Sequence, residues 1–447
     1  MSLTVQMSKL RVIAALALLG APLGAQTPSV PASPADSLQP ISLDAAVTAA
    51  QRNSPTAVQA RGAVRTSESG VRSAYAAFLP NLNFSLGANE SSGQRQDLTG
   101  RLVDYTAPRS YSLGLNSTLM LFDGQRFSNL TSARAGVDAA EASEVASRYR
   151  IALDVKTTYF SALAARESES AARAQLEQAE QQLRAASARV RAGSATMSDS
   201  LRSVIAVGNA RLAVLTAQNE VRTASAALTR LVASPVPVTA SASDTLEQIQ
   251  YAPLDTTQIL VLARQGPAVR QAEANYEAAR ANVRAARGSY LPDVSLSYRR
   301  SGSGFDSRFG IGDGQLAYSN TWSVGLSLPI FNNYAREDQV TRAIVQRDVA
   351  DANLRDAELL ARQNLVQQLG VLRTAEERVR IQQASVEAAQ EDLRVQQQRY
   401  NLGASTLLDL LTSQSALNSA RSALIEARLD YRIARAQIEA LIGQDLP

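Results

Sequence analysis

The chain has 447 residues, 45 Lys and Arg against 41 Asp and Glu, a formal charge of +4, and neither cysteine nor histidine. Without those two side chains there is no disulfide framework, no Cys/His zinc site, no thiol nucleophile and no histidine-based triad, which removes most enzymatic chemistries. The small net charge gives no electrostatic case for nucleic acid, and 45% hydrophobic residues with only 5% aromatics fit helices packed on thin seams better than a thick core.

At the N-terminus Lys9 and Arg11 precede an apolar run from Val12 to Leu19 and a small Ala25, with a bulkier Leu23 two positions before it. Residues 1–25 are therefore expected to be a secretory signal peptide, and its removal leaves about +2. The missing cysteine argues against a lipid-anchored N-terminus. Beyond the signal, no stretch reaches the ~18–20 continuous apolar residues of a membrane-spanning helix, so entry into a membrane would require a barrel. Residues 26–40, rich in Pro, Ser and Ala, read as a disordered, extended lead-in.

From Ile41 the pattern is helical. Ser54 followed by Pro55 marks an N-cap and first helical position, opening a helix to about Ala77. Gly266 and Pro267 repeat the signal for a helix to about Gly288. Both helices stop at proline, in Phe78-Leu79-Pro80 and Tyr290-Leu291-Pro292, because that residue forces the chain out of helix.

The period then changes to two. Leu82, Phe84, Leu86 and Ala88 alternate with small polar residues, as do Leu113, Leu115, Leu119 and Leu121, with Ser117 the one break. The second half offers Val294, Leu296 and Tyr298, then Trp322, Val324, Leu326, Leu328 and Ile330. Strands are expected at about 81–90, 111–122, 293–299 and 320–331. This alternation fits a transmembrane barrel wall, and equally a half-buried soluble sheet. The segments Glu90 to Arg109 and Arg299 to Asn320 read as polar outer loops. Phe78, Phe122, Tyr290 and Phe331 fall at one end of the strands, either as an aromatic girdle at the membrane interface or as packing at the helix-strand junction.

Two runs without proline follow, at about 125–192 and 334–402, with one glycine each, Gly136 and Gly370. Each predicts a single helix on the order of 100 Å long. Gly193 and Gly403 supply left-handed residues that stop them, and return helices are expected at about 197–232 and 407–442. Shifting by 210 residues superimposes Arg189 on Arg399, Gly193 on Gly403, Thr196 on Thr406 and Asp199 on Asp409. Alanines coincide as well, Ala206, Ala210, Ala213, Ala217 and Ala224 on Ala416, Ala420, Ala423, Ala427 and Ala434. Their coiled-coil spacing predicts a close seam between helices. The chain thus divides into repeats at 41–232 and 254–443, joined by a connector at 233–253 and closed by residues 444–447.

A membrane barrel must close, because lipid cannot satisfy the N–H and C=O groups of an open edge. Four strands cannot close a barrel, whose smallest forms have about eight. Two copies would give eight strands and three would give twelve, and geometry prefers three because it leaves a passage.

The order of elements, and the motifs RYNLGASTLLDLL (Arg399 to Leu411), SVGLSLPIF (Ser323 to Phe331) and YLPDVSLSY (Tyr290 to Tyr298), resemble the TolC family of outer-membrane efflux proteins over about Ile41 to Gly443. The resemblance implies a mixed α and β fold of two duplicated halves, each with a strand pair and a long antiparallel helical hairpin. It implies a homotrimer with a twelve-stranded barrel in outer-membrane lipid, continued by a periplasmic α-helical barrel. It also implies docking to a periplasmic adaptor (membrane fusion) protein and an inner-membrane pump or type I secretion machine, with no cofactor. Under it Asp409 matches an acidic ring of the periplasmic gate, Asp199 is its counterpart in the first hairpin, and Tyr400 fits a position that links neighbouring helices. Thr412 stands where some relatives carry a second acid. Gly193, Ser194, Ala195, Gly403, Ala404 and Ser405 are the small tip residues an adaptor would approach. The plain reading of both aspartates is a helix cap, and that of the glycines is turn chemistry. A surface coiled-coil or adhesin-like protein is the competing class, which leaves the duplicated strand pairs unexplained. No metal relay is indicated, and the substrate is not legible.

Overall fold

The computed structural model of the protein describes residues 38–107, 109–241, 243–246, 256–306 and 316–446. The expected signal peptide, residues 26–37 of the lead-in, part of the connector, the outermost part of the second loop and Pro447 lie outside the described residues.

In chain order the elements are β1 (Gln39–Ile41), α1 (Leu43–Asn53), α2 (Pro55–Ala76), β2 (Asn81–Asn89), β3 (Ser92–Gln96), β4 (Leu102–Thr106), β5 (Arg109–Asp123), α3 (Gly124–Arg191) and α4 (Met197–Val232). Then come β6 (Val238–Ala240), α5 (Thr256–Arg264), α6 (Pro267–Gly288), β7 (Asp293–Asp306), β8 (Ala317–Ser327), α7 (Ala335–Asn401) and α8 (Leu407–Ile442). The two long helices, of 68 and 67 residues, start where the sequence stops alternating. Asp123 caps the first of them, accepting from the Gln125 N–H at 2.8 Å.

Four strands form one antiparallel sheet in the order β2-β5-β7-β8. The register sets Phe84 opposite Leu115, Leu119 opposite Leu296, and Leu296 opposite Val324. Apolar residues therefore share one face. A bulge between Met120 and Phe122 shifts the phase by one residue, so Phe122 pairs with Val294 on the apolar side.

The helices continue this order. α2 leads into β2, β5 into α3, α6 into β7 and β8 into α7, and the neighbouring pairs α2–α3, α3–α6 and α6–α7 pack together. Farther from the sheet the packed pairs become α4–α3, α3–α8 and α8–α7. At the second of these exchanges α6 starts where α8 ends: a Cβ at Gly266 would lie 2.2 Å from the carbonyl oxygen of Leu441, so only glycine allows this approach. The first-half position is Ser54, which caps α2 through the Ala57 N–H at 3.3 Å.

A buried cluster joins α1, α2, α3, α4 and β6 at that level. β1 pairs in parallel with β6, and Tyr159 of α3 is fully buried beside them. Its hydroxyl donates to the Asp244 carboxylate and accepts from the Ser241 N–H at 3.1 Å. Burial and that carboxylate push the Tyr159 hydroxyl well above its ordinary pKa.

Several expectations need correction. Gln39 and Pro40 of the expected disordered lead-in, and Ile41 where helix was expected to begin, are strand residues, because β6 in the connector lies beside them as a partner. The first outer loop contains the hairpin β3–β4, turned by Asp97, whose carboxylate accepts from the Thr99 and Arg101 N–H groups, and by Gly100 at φ +80°. β7 runs to Asp306 rather than to about 299, and β8 stops at Ser327 rather than 331, two residues before Pro329, which cannot donate to a ladder.

The seam is also thicker than alanine alone. In α4 the buried stripe is Ser203, Val207, Ala210, Val214, Ala217, Val221, Ser225, Leu228 and Val232. In α8, Leu410, Leu417 and Leu424 join Ala427 and Ala434, while Ala416 is exposed. Alanines mark the right faces, but branched side chains fill most of the groove.

Candidate functional site

The sheet leaves its apolar face to the surroundings. Leu82, Phe84, Leu86, Trp322, Val324 and Leu326 are 54–72% exposed, and both edge strands are exposed along their whole length. A contiguous apolar face of that size is not compatible with water and marks contact with lipid or another protein. No helix among the described residues is long and apolar enough to cross a membrane.

The opposite face is lined by small polar groups that bond across strands. Thr118 and Ser297 hydroxyls lie 3.4 Å apart, and Ser301 and Ser319 hydroxyls 2.8 Å apart. On the apolar face Tyr298 stacks on Trp322 at 4.5 Å, and Arg300 lies over the Tyr318 ring at 5.0 Å.

The four junction aromatics lie at or beside the helix end of the sheet. Phe78 packs on Phe127 at 5.1 Å with Arg126 over its ring. Tyr290 lies beneath Arg336 at 4.9 Å, and Phe331 meets Tyr334 edge-on at 5.6 Å. Phe122 is 42% exposed and Phe331 is 67% exposed, so packing at the helix-strand junction leaves part of these two rings uncovered.

At the far ends of the hairpins, Gly193 and Gly403 both take φ +72°. The N–H groups of Ser194 and Ala404 bond back to the Arg189 and Arg399 carbonyls at 2.9 and 2.8 Å, closing each helix as a left-handed glycine terminus. Ala195 and Ser405 are half-buried beneath the turns, while Gly193, Ser194, Gly403 and Ala404 are exposed.

Each return helix starts with a reciprocal cap. Thr196 accepts from the Asp199 N–H while Asp199 accepts from the Thr196 N–H at 3.1 Å, and Thr406 and Asp409 repeat this at 2.9 Å. Asp409 also accepts from Ser405 at 3.1 Å. Hydrogen bonds from the Thr406 hydroxyl, the Thr406 N–H and Ser405 hold the Asp409 carboxyl below its ordinary range. Both aspartates therefore sit at the tips and are engaged by their own helices. Thr412 bonds back to the Leu408 carbonyl at 2.9 Å.

Arg189 is the tip residue that sequence reasoning did not assign. Its guanidinium lies over the Tyr400 ring at 4.5 Å and donates to Asn401 at 3.2 Å, fastening one hairpin tip to the other. The duplicate, Arg399, donates to the Ala404 carbonyl of its own turn at 3.4 Å. Its match with Arg399 marked the position but not the role, because equivalent residues in the two repeats do different things.

A polar-faced sheet with an exposed apolar back, continued strand by strand into a wall of long helices, defines a membrane channel component. The family model described as outer membrane efflux protein matches residues 46–234 and 260–444, and the chain belongs to that family. It is similar to the pyoverdine export outer membrane protein OpmQ of Pseudomonas aeruginosa, 27% identical over 408 residues, which cover 90% of this chain and 83% of that protein. In fold it is similar to the outer membrane protein VceC of Vibrio cholerae (TM-score 0.70, 19% identity, 91% of this chain and 97% of that one). It is similar also to the open state of the Neisseria gonorrhoeae MtrE outer membrane channel (TM-score 0.71, 22% identity, 90% and 89%). The protein is thus an exit duct of the outer membrane with its helical part in the periplasm, and its family is one of transport ducts.

Proposed function

We propose that three copies of this chain close a twelve-stranded barrel and a helical tunnel, and that the duct receives its cargo from a periplasmic adaptor and an energised inner-membrane pump or secretion machine. The observation that carries this reading is the pair of bare edges, β2 and β8, on a sheet whose apolar face is also exposed. In lipid those edges must be paired, and β8 of one copy meeting β2 of the next satisfies both. At the other end Asp409 and Asp199, with Tyr400 held by Arg189, form the periplasmic gate, and Gly193, Ser194, Ala195, Gly403, Ala404 and Ser405 form the adaptor-facing tip. The junction aromatics Phe78, Phe122, Tyr290 and Phe331 sit at the inner membrane–water boundary of the barrel.

The chain has no cysteine, so engineered thiols report cleanly. Cysteines introduced in β2 and β8 at facing positions are expected to yield a disulfide-linked trimer on gels of outer membranes. A linked dimer as the largest species sinks the threefold arrangement. Asp409→Cys is expected to block export under oxidation and restore it on reduction, and unchanged export under oxidation removes Asp409 from the gate.

A further inference from the structure

The polar face of the sheet is nearly without charge. In β7 the odd-numbered side chains share this face, as the Thr118–Ser297 and Ser301–Ser319 contacts on either side of residue 299 fix. The even-numbered neighbours, Tyr298 and Arg300, are held on the apolar face by Trp322 and Tyr318. Arg299 therefore projects from the polar face and is exposed. Its register neighbours there are Asn116 and Thr321, which carry no charge. Beyond Asp123 and Asp293, paired opposite each other at the helix end of β5 and β7 about 20 Å away along the strand, Arg299 is the one charged side chain on this face in the four described strands.

We propose that Arg299 is a selectivity determinant of the barrel: a ring of three guanidinium groups facing the lumen that favours anionic solutes, those carrying carboxylate or phosphate groups. The proposal rests on the threefold barrel reading. Rings of fixed charge set the sign of the ion a pore prefers. With neutral Asn, Ser and Thr around it, no nearby carboxylate among the described residues cancels this one. The field reaches about 10 Å at 0.1 M salt, so it acts across much of a lumen whose wall carries it on three sides. It also opposes in sign the aspartates at the tips and the Asp123–Asp293 pair at the helix end of the sheet, giving the duct one basic band beyond an acidic entrance.

The test uses full-length protein in planar bilayers, in the native background and with Asp409→Asn so that the acidic tip does not mask the barrel. Potassium chloride gradients read the permeability ratio, and inositol hexakisphosphate added on the barrel side reads block. Arg299→Glu is expected to lower the anion-to-cation permeability ratio by about threefold and to weaken polyanion block about tenfold, while Arg299→Lys keeps both. Heat-modifiable oligomer on gels verifies assembly of each variant. Conducting Arg299→Glu channels with native selectivity and native block overturn the assignment and leave the duct intact. Native protein that assembles but never conducts overturns the duct reading and this one with it.

Discussion

The two hairpins share one plan and differ in how they fill it. At positions 210 residues apart on α4 and α8 the buried seam holds Val207 and Leu417, Val214 and Leu424, Val221 and Tyr431, yet Ala217 and Ala427 are the same. Only the second hairpin has a hydrophobic core continuous from its base into its tip half, which includes Leu365, Leu369 and Leu372 of α7 and draws in α5. Along its tip half the first hairpin has only two small clusters around Ala172 and Ala179. Duplication fixed the heptad positions, and subsequent divergence set side-chain volume, which decides how firmly each pair of helices holds.

The largest expected effect falls on the contact that joins the halves. Lys156 of α3 binds Glu439 of α8 at 2.6 Å and Asp445 at 2.8 Å, with Arg435 also on Glu439. Burial alone would lower the Lys156 pKa, but the two carboxylates outweigh it and raise it. Lys156→Met leaves a buried acid with one cation fewer and should cost about 3–5 kcal/mol, seen as loss of hydrogen-exchange protection where α3 meets α8. A pKa raised on folding contributes its stability fully below the unfolded value, about 10.4, and loses it as pH rises through the higher folded value. Protection at this contact should therefore hold from neutral pH to about pH 10 and fall beyond.

Next is the seam itself. Leu417→Ala, at a site 3% exposed, should cost about 2–4 kcal/mol, whereas Val207→Ala should cost roughly half of that because it removes less apolar volume. Equal losses of exchange protection in the two hairpins would break the distinction drawn between them.

The stacking points of the repeats sharpen the comparison further. Gly266→Ser installs the first-half residue in the second half, where its Cβ meets the Leu441 carbonyl, and should cost about 1–3 kcal/mol. The reciprocal Ser54→Gly should cost only a few tenths. Thermal melts of the two variants side by side decide it.

The smallest effect is at the tips. A carboxyl whose pKa is lowered on folding stabilises above its unfolded value and loses that contribution as pH falls through the folded value. The α8 start should therefore fray only below about pH 4, and Asp409→Asn should remove that dependence. Amide exchange at residues 406–410 is the measurement.

Much of this molecule was written in its sequence. Ser54-Pro55, Gly193, Gly403 and the Thr-Asp pairs act through bonds that span only a few residues, so their local geometry follows from residue type. The alternation around Leu82 and Val324 likewise fixes which face is apolar, since side chains on a strand must alternate. Tertiary structure decided what no local rule reaches. Ile41 became strand because β6, some 200 residues later, lies beside it. Leucines rather than alanines closed the α8 seam, because burial depends on the facing helix. Arg189 found Tyr400 while its duplicate Arg399 stayed in its own turn, because the partner of a long charged side chain is set by the fold around it and not by its place in a repeat.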